Sequence, residues 1–266
     1  MTTDAALEPA ADEALYLYCV LRSAGAITLP DAAIDPARPV AALEHAGLTA
    51  VVSPVPLAEF RGPQGEQNLA DVGWLGPRAL CHETVIAHFL PQAAVFPLPF
   101  GTLFSSVAAL RQELDARRGQ IEAALERVQD CREWAVQGVL EREQALDARE
   151  QEAIATGRYV PAASAGRQHL EKKRLRRALE RDLEAWLSAR TAPLADTLYR
   201  AYAGFTERRV LAGQGLAFNW AVLVPSPDTE RFLGLIDDAR AQHAAAGLQI
   251  VCKGPWAAYS FCGELL

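Results

Sequence analysis

The stretch from Leu216 to Phe261 constrains the fold most, because its apolar spacing switches period twice within a few dozen residues. Leu216, Phe218, Trp220, Val222 and Val224 recur at period two, with Ala217, Asn219, Ala221 and Leu223 on the other face, as in a sheet strand. Pro225 ends that run. Ser226 suits a helix cap and Pro227 the first helical turn, where a missing N–H costs nothing. Phe232, Leu235, Ile236 and Ala239 then follow helical spacing, and Gly247 suits the exit. Leu248, Ile250 and Cys252 alternate again before Gly254-Pro255 halts the strand ahead of Trp256, Tyr259 and Phe261. The stretch is therefore a β-α-β unit with an aromatic tail.

The chain before it supplies two more layers of structure. Leu15 to Leu21 is apolar on both faces, Tyr16, Tyr18 and Val20 opposite Leu15, Leu17 and Cys19, and predicts a central strand covered on both sides. Val40–His45 and Leu48–Val55 flank Ala46-Gly47, a short hairpin signal. Arg61 to Gly73 reads as a loop, Trp74 to Leu90 as a helix, and Ala93 to Phe104 as a proline-rich segment at a sheet edge. Ser105 and Ser106 are capping residues for a helix over Val107 to Gln129. After a strand at Trp134–Leu140, with Gly138 as a bulge position, a helix over 140–156 and a returning helix through Leu170, Leu175, Leu179, Leu183, Trp186 and Leu187 predict a helical hairpin that Pro193 ends. Asp196 to Thr206 reads as the strand that precedes Leu216.

The expected fold class is α+β, with two modified ferredoxin-like domains over residues 1–130 and 131–266. The second carries an inserted, projecting helical hairpin at about 140–190.

Bulk properties narrow the function. The 266 residues carry a formal net charge of −7, which disfavours a nucleic-acid partner, since phosphates are bound by a basic face. Cys19, Cys81, Cys131, Cys252 and Cys262 are scattered and odd in number, so neither a disulfide framework nor a zinc knuckle is indicated and a reducing cytoplasm fits best. The acidic start lacks the pattern of a signal peptide, and the longest apolar region, Val85 to Phe104, is broken by prolines where a membrane span needs about 20 apolar residues. A soluble protein without a membrane segment is expected.

A second motif lies in that apolar region: His82-Glu83, then Val95-Phe96-Pro97-Leu98-Pro99-Phe100-Gly101-Thr102-Leu103-Phe104. It and the terminal Gly254-Pro255-Trp256-x-x-Tyr259-Ser260-Phe261 together resemble, in order and over most of the chain, the F/L family of gas vesicle synthesis proteins. The chain departs from that family's pattern at Ala257-Ala258, where two prolines are usual, and at Pro99, where an arginine is common. The resemblance implies an accessory protein of gas vesicle assembly, not an enzyme. It would act in the cytoplasm at the vesicle, binding the very hydrophobic shell subunit and helping its placement, with other accessory proteins as further partners.

The residues themselves leave several readings open. A zinc site on His82-Glu83 lacks its second ligand, since the position one turn on is Ile86, and Cys81 and His82 diverge by about 100° on a helix and cannot share a proton. Gly213-Gln214-Gly215 precedes a strand where a dinucleotide fingerprint would follow one. No catalytic residue, metal or cofactor is expected. The alternatives to the assembly role are an enzyme with dispersed catalytic residues and, on the basic run Lys172, Lys173, Arg174, Arg176, Arg177 and Arg181, an RNA-binding module. That run also reads as a solvated helix face or a protein contact. Phe100, Phe104, Trp256, Tyr259 and Phe261 either close a core or anchor a partner.

Overall fold

The computed structural model describes residues 7–22, 27–160, 164–210 and 215–263. These form a mixed α+β structure in two compact units, one made of residues up to Glu133 together with those from Trp256 onward, the other of Trp134–Pro255. The expected second domain ran to the last residue. The tail instead joins the first unit, because its polar and apolar side chains find their partners there.

The first unit is built on β1 (Glu13–Arg22), with β2 (Ala41–His45), β3 (Leu48–Pro56), β4 (Val95–Pro97) and β5 (Leu103–Phe104). The spatial order is β2-β3-β1-β4, with β5 also on β1, and the pairs are antiparallel. Every residue from Leu15 to Leu21 is at most 1% exposed, as a central strand covered on both faces requires. Its register slips between Leu17↔Val52 and Cys19↔Val51, leaving Tyr18 as the extra residue of a bulge. The bulge corrects the strict alternation expected from sequence. Because it advances the side-chain phase by one residue, Cys19 and Leu21 join Tyr16 and Tyr18 in one core cluster.

Helices cover this sheet. A short α1 (Leu57–Phe60) is followed by α2 (Gly62–Ala70), which occupies most of the region Arg61 to Gly73 expected to be a loop; Asn68 Nδ2 donates to the Glu59 carbonyl at 2.9 Å and Pro63 suits the first turn. The local excess of Gly, Pro and Gln misleads because tertiary contacts outweigh helix propensity. In α3 (Val72–Phe89), Asp71 caps the start by accepting from Gly73 N, and Val85, Ile86 and Phe89 enter the Tyr16–Tyr18 cluster. Ser106 caps α4 (Val107–Val128) by accepting from Ala109 N, and α4 packs on β1, β4 and β5 with Leu110, Leu114, Ile121 and Leu125 buried.

The second unit holds β6 (Cys131–Leu140), whose first residues lie in the first unit, β7 (Gly204–Glu207), β8 (Leu216–Pro225) and β9 (Leu248–Trp256), in the order β7-β8-β6-β9. With four strands numbered from its own start, each sheet thus has the order 2-3-1-4. Phe218, Trp220, Val222 and Val224 share one core cluster, which is the period-two face read from the sequence. At Gly138 a Cβ would lie 2.3 Å from the Phe218 ring. That glycine, expected from sequence as a bulge position, admits a close approach of the Phe218 ring. At Gly247, where φ is +70°, a Cβ would fall 2.7 Å from Ala145 N, so both backbone conformation and space demand glycine.

Between β6 and β7 run α5 (Arg142–Ala155), α6 (Ala165–Arg181) and α7 (Leu183–Ala201). Arg176 of α6 bonds Glu143 and Asp147 of α5 at 2.5 and 2.6 Å. The returning segment is two helices parted at Asp182, and Leu170 is 58% exposed, off the apolar face to which it was assigned. Pro193 lies inside α7, and the strand expected from Asp196 begins only at Gly204. An interior proline costs about 3 kcal/mol. Leu194 and Leu198, which follow it and are buried in the sheet's core cluster, supply offsetting burial. A 3-10 turn, Ser226–Asp228, leads into α8 (Thr229–Ala244), whose Phe232, Ile236 and Ala239 complete that core. β9 runs on to Trp256, past the Gly-Pro expected to stop it, and Tyr259–Cys262 form a last turn, α9.

Candidate functional site

The two sequence motifs meet in the first unit, around His82. Prolines on either side of Leu98 cannot donate to a strand ladder, and β4 and β5 pair with β1 on opposite sides of its bulge. The turn between them, Leu98 to Thr102, is closed by Thr102 Oγ1 donating to the Pro99 carbonyl at 2.7 Å. It turns the Leu98 carbonyl toward His82 Nε2, 3.0 Å away.

That contact assigns the proton. A carbonyl only accepts, so Nε2 carries the hydrogen and Nδ1 is left to accept from the Tyr16 hydroxyl at 2.9 Å. The Tyr16 oxygen in turn accepts from Gly101 N at 3.1 Å, which fixes the Phe-Gly-Thr turn against β1. The tail closes the network: Tyr259 Oη lies 3.2 Å from His82 Nε2 and donates to Glu83 Oε1 at 2.7 Å. Burial pulls the His82 pKa down to about 4, so the ring is neutral at neutral pH. Burial likewise raises Glu83, against the Tyr259 hydrogen bond, and raises Tyr16 and Tyr259.

Two further ties hold the tail. Glu133, 1% exposed, accepts from Ser260 N at 2.8 Å and from Ser260 Oγ at 3.1 Å, and Arg127 donates to the Phe261 carbonyl at 3.4 Å. A carboxylate so deeply buried demands such donors. Ala257, Ala258, Phe261 and Cys262 are all buried, and Ala257 sits within the Tyr16–Tyr18 cluster.

The five aromatic residues singled out from the sequence therefore separate. Phe261 is core, 7% exposed, and Tyr259 is half-buried with its hydroxyl engaged. Phe100 is half-buried, its ring in edge contact with Tyr16 and His82. Phe104, also half-buried, lines an open cavity of about 390 Å³ with Ala14, Leu57, Arg61 and Leu103. Trp256 is 45% exposed. Sequence reasoning did not single out Tyr16 as a partner of His82, or Glu133 and Ser260 as a pair that fixes the tail, because these pairings span 66 and 127 residues of chain.

A feature no motif announced lies on α3. Its exposed residues are Val72, Gly73, Gly76, Pro77, Leu80, Thr84 and Ala87, none of them charged. Val72 and Leu80 are 81% and 70% exposed. A surface helix ordinarily turns charged residues to solvent.

The thiols are not set up as nucleophiles: burial raises all five, Cys252 to about 11 and Cys262 to about 12. Among the described residues, no cluster of three or more His, Cys, Asp and Glu side chains is placed to hold a metal ion, and no helix is long and apolar enough to cross a membrane.

The family model for gas vesicle synthesis protein GvpL/GvpF matches residues 14–263, a span that includes both motifs and both units. The chain belongs to the GvpL/GvpF family. A curated relative, gas vesicle protein L of Streptomyces sp. (strain CB03234), is 30% identical over 261 residues, covering 95% of this chain and 94% of that protein. Two crystal structures share the fold. Gas vesicle protein GvpF from Anabaena sp. PCC7120 matches with a TM-score of 0.70 at 17% identity, over 94% of this chain and 98% of that one. GvpF from Microcystis aeruginosa matches with a TM-score of 0.64 at 16% identity, over 94% and 99%. Membership in GvpL/GvpF gives the chain a gas-vesicle-related role, and the His82 network is where the chain's two sequence motifs meet.

Proposed function

We propose that this chain is a non-enzymatic accessory protein of gas vesicle assembly that binds the hydrophobic shell subunit and helps place it during vesicle growth, in the cytoplasm at the vesicle wall. The observation that carries the reading is the uncharged solvent face of α3, with Val72 and Leu80 open to water. A shell subunit exposing a large apolar surface aggregates unless something covers it, and an apolar face on a net-negative, well-packed protein suits that task. Trp256 and Phe104 are the motif residues with surface left to contribute; Phe100 and Tyr259 act by shaping the turn and tail around them, and Phe261 closes the core. Other gas vesicle accessory proteins are further partners, and nucleic acid is not one. His82 supports the non-enzymatic reading, since both its ring nitrogens are engaged by internal bonds.

The shared strand order 2-3-1-4 fits two modified ferredoxin-like domains, the first without a helix between its first two strands among the described residues. The ion-paired α5 and α6 support the inserted hairpin in the second.

Two experiments test the reading. Deleting the gene in its host is expected to reduce or abolish buoyant vesicles. The tagged full chain is expected to co-purify with the shell subunit, and Val72→Asp with Leu80→Glu to lose it at unchanged melting temperature. Normal vesicles together with no shell binding would remove the proposal.

A further inference from the structure

The basic run of α6 divides its cations between two faces of the helix. Arg176 bonds Glu143 and Asp147 and lies 3.8 Å from Glu150, and Lys172 bonds Glu150 at 2.9 Å. Those acids stand at i, i+4 and i+7 on α5. On the far side, Lys173, Arg174, Arg177 and Arg181 fall with Leu170 within an arc of about 100° at 3.6 residues per turn. All five are exposed. Among the described residues none of the four cations has a carboxylate within ion-pair distance, although acids are close in sequence. Glu171 turns to Arg167 at 3.9 Å, and Glu180 to Arg142 at 3.5 Å.

We propose that this stripe is a docking surface for an acidic helix of a partner protein, distinct from the apolar surface offered to the shell subunit. The chemistry of the partner is read from α5. There, acids repeating once per turn hold the inner cations of α6, and the outer cations recur over three successive turns as Lys173 with Arg174, then Arg177, then Arg181. Leu170 adds an apolar contact at the N-terminal end of the stripe. A helix bearing Glu or Asp at i, i+4 and i+7 would meet the Lys173–Arg174 pair, Arg177 and Arg181 in line, with the acid spacing by which α5 holds α6. Nucleic acid fits less well. The stripe spans about 12 Å at 1.5 Å per residue, the chain carries −7 overall, and Glu180, Asp182 and Glu184 flank the cations.

The test uses the full chain and a fluorescent helical peptide of about 20 residues, long enough to hold a helix, with glutamates at i, i+4 and i+7. A scrambled peptide of equal composition spreads the glutamates around the helix. Anisotropy at near-physiological salt is expected to show the patterned peptide binding about tenfold tighter than the scrambled one, the combined effect of several exposed ion pairs. Lys173→Glu, Arg174→Glu, Arg177→Glu and Arg181→Glu together should abolish that difference without changing the circular dichroism spectrum. A peptide with lysines at the patterned positions should then bind the reversed chain. Equal binding of both glutamate peptides overturns the proposal. So does tighter binding of a single-stranded oligonucleotide or of anionic phosphatidylglycerol vesicles. Self-association of the wild-type chain that the reversal removes overturns it in favour of a second copy.

Discussion

Each unit of the molecule buries a histidine under its sheet, and the two are kept differently. His82 is 1% exposed and has a hydrogen-bond partner at each ring nitrogen. His243, on α8, is 3% exposed, and its Nδ1 has no partner among the described residues. Burial lowers the pKa of both, with the Arg190 charge adding to the effect at His243. The first histidine ties β1, the Phe-Gly-Thr turn and the tail together, whereas the second fills space beside a core of Trp134, Phe218, Trp220, Phe232 and aliphatic neighbours. A buried polar group therefore organises structure only when its partners come from distant parts of the chain. The first unit holds its histidine by such a network and the second by packing.

The packing side of that contrast should give the largest effect. Phe232, fully buried against Trp134 and Tyr202, is expected to cost about 3–5 kcal/mol as Phe232→Ala, read by denaturant unfolding with hydrogen exchange locating the loss in the second unit. The histidines break the comparison next. His82→Leu leaves the Tyr16 hydroxyl and Leu98 carbonyl without their partner and should cost about 2–4 kcal/mol. His243→Leu orphans nothing and should stay within about 1 kcal/mol of wild type. Similar losses at both positions would mean that the network contributes nothing beyond burial.

Acid sharpens the same point. The folded His82 pKa of about 4 lies below the ordinary 6.5, so as pH falls the unfolded chain takes up the proton first. The stability held by neutral His82 is full above pH 6.5 and is lost progressively down to pH 4, about 3 kcal/mol over the window. Glu83, raised by burial, works with the opposite sign: its contribution is full at low pH and fades as pH rises through its folded value. The difference between wild type and His82→Leu isolates the histidine, and it should shrink from pH 7 to pH 4.

Tyr259→Phe should cost less, about 1–2 kcal/mol. By removing the hydrogen bond that favours the Glu83 carboxylate, it should also push the Glu83 pKa further up, as NMR titration would show. An unmoved Glu83 would mean that Tyr259 does not hold the tail through that carboxylate.

How much of this was legible in the sequence follows from the range of the interactions. The β8 face and the Ser106 cap are local patterns and are found where the spacing puts them. The bulge at Tyr18 left no composition signal, because both phases of β1 are apolar, so the regrouping of Cys19 with the tyrosines had to be seen. Pro193 looked like a helix end since proline propensity is local, while the burial of Leu194 and Leu198 that outweighs it is tertiary. The tail was read with the strand that delivers it, although Glu133, Glu83 and His82 decide where it rests. Trp256 and Phe261 are equally apolar in sequence, and only burial separates a surface residue from a core one.

That separation gives the most direct test of the proposed role. Trp256→Ala, measured for thermal stability and for co-purification with the shell subunit in the same preparation, should lower stability by about 1 kcal/mol or less, the effect of a half-exposed side chain, and should weaken shell binding. A large loss of stability, or wild-type recovery of the shell subunit, would contradict the account.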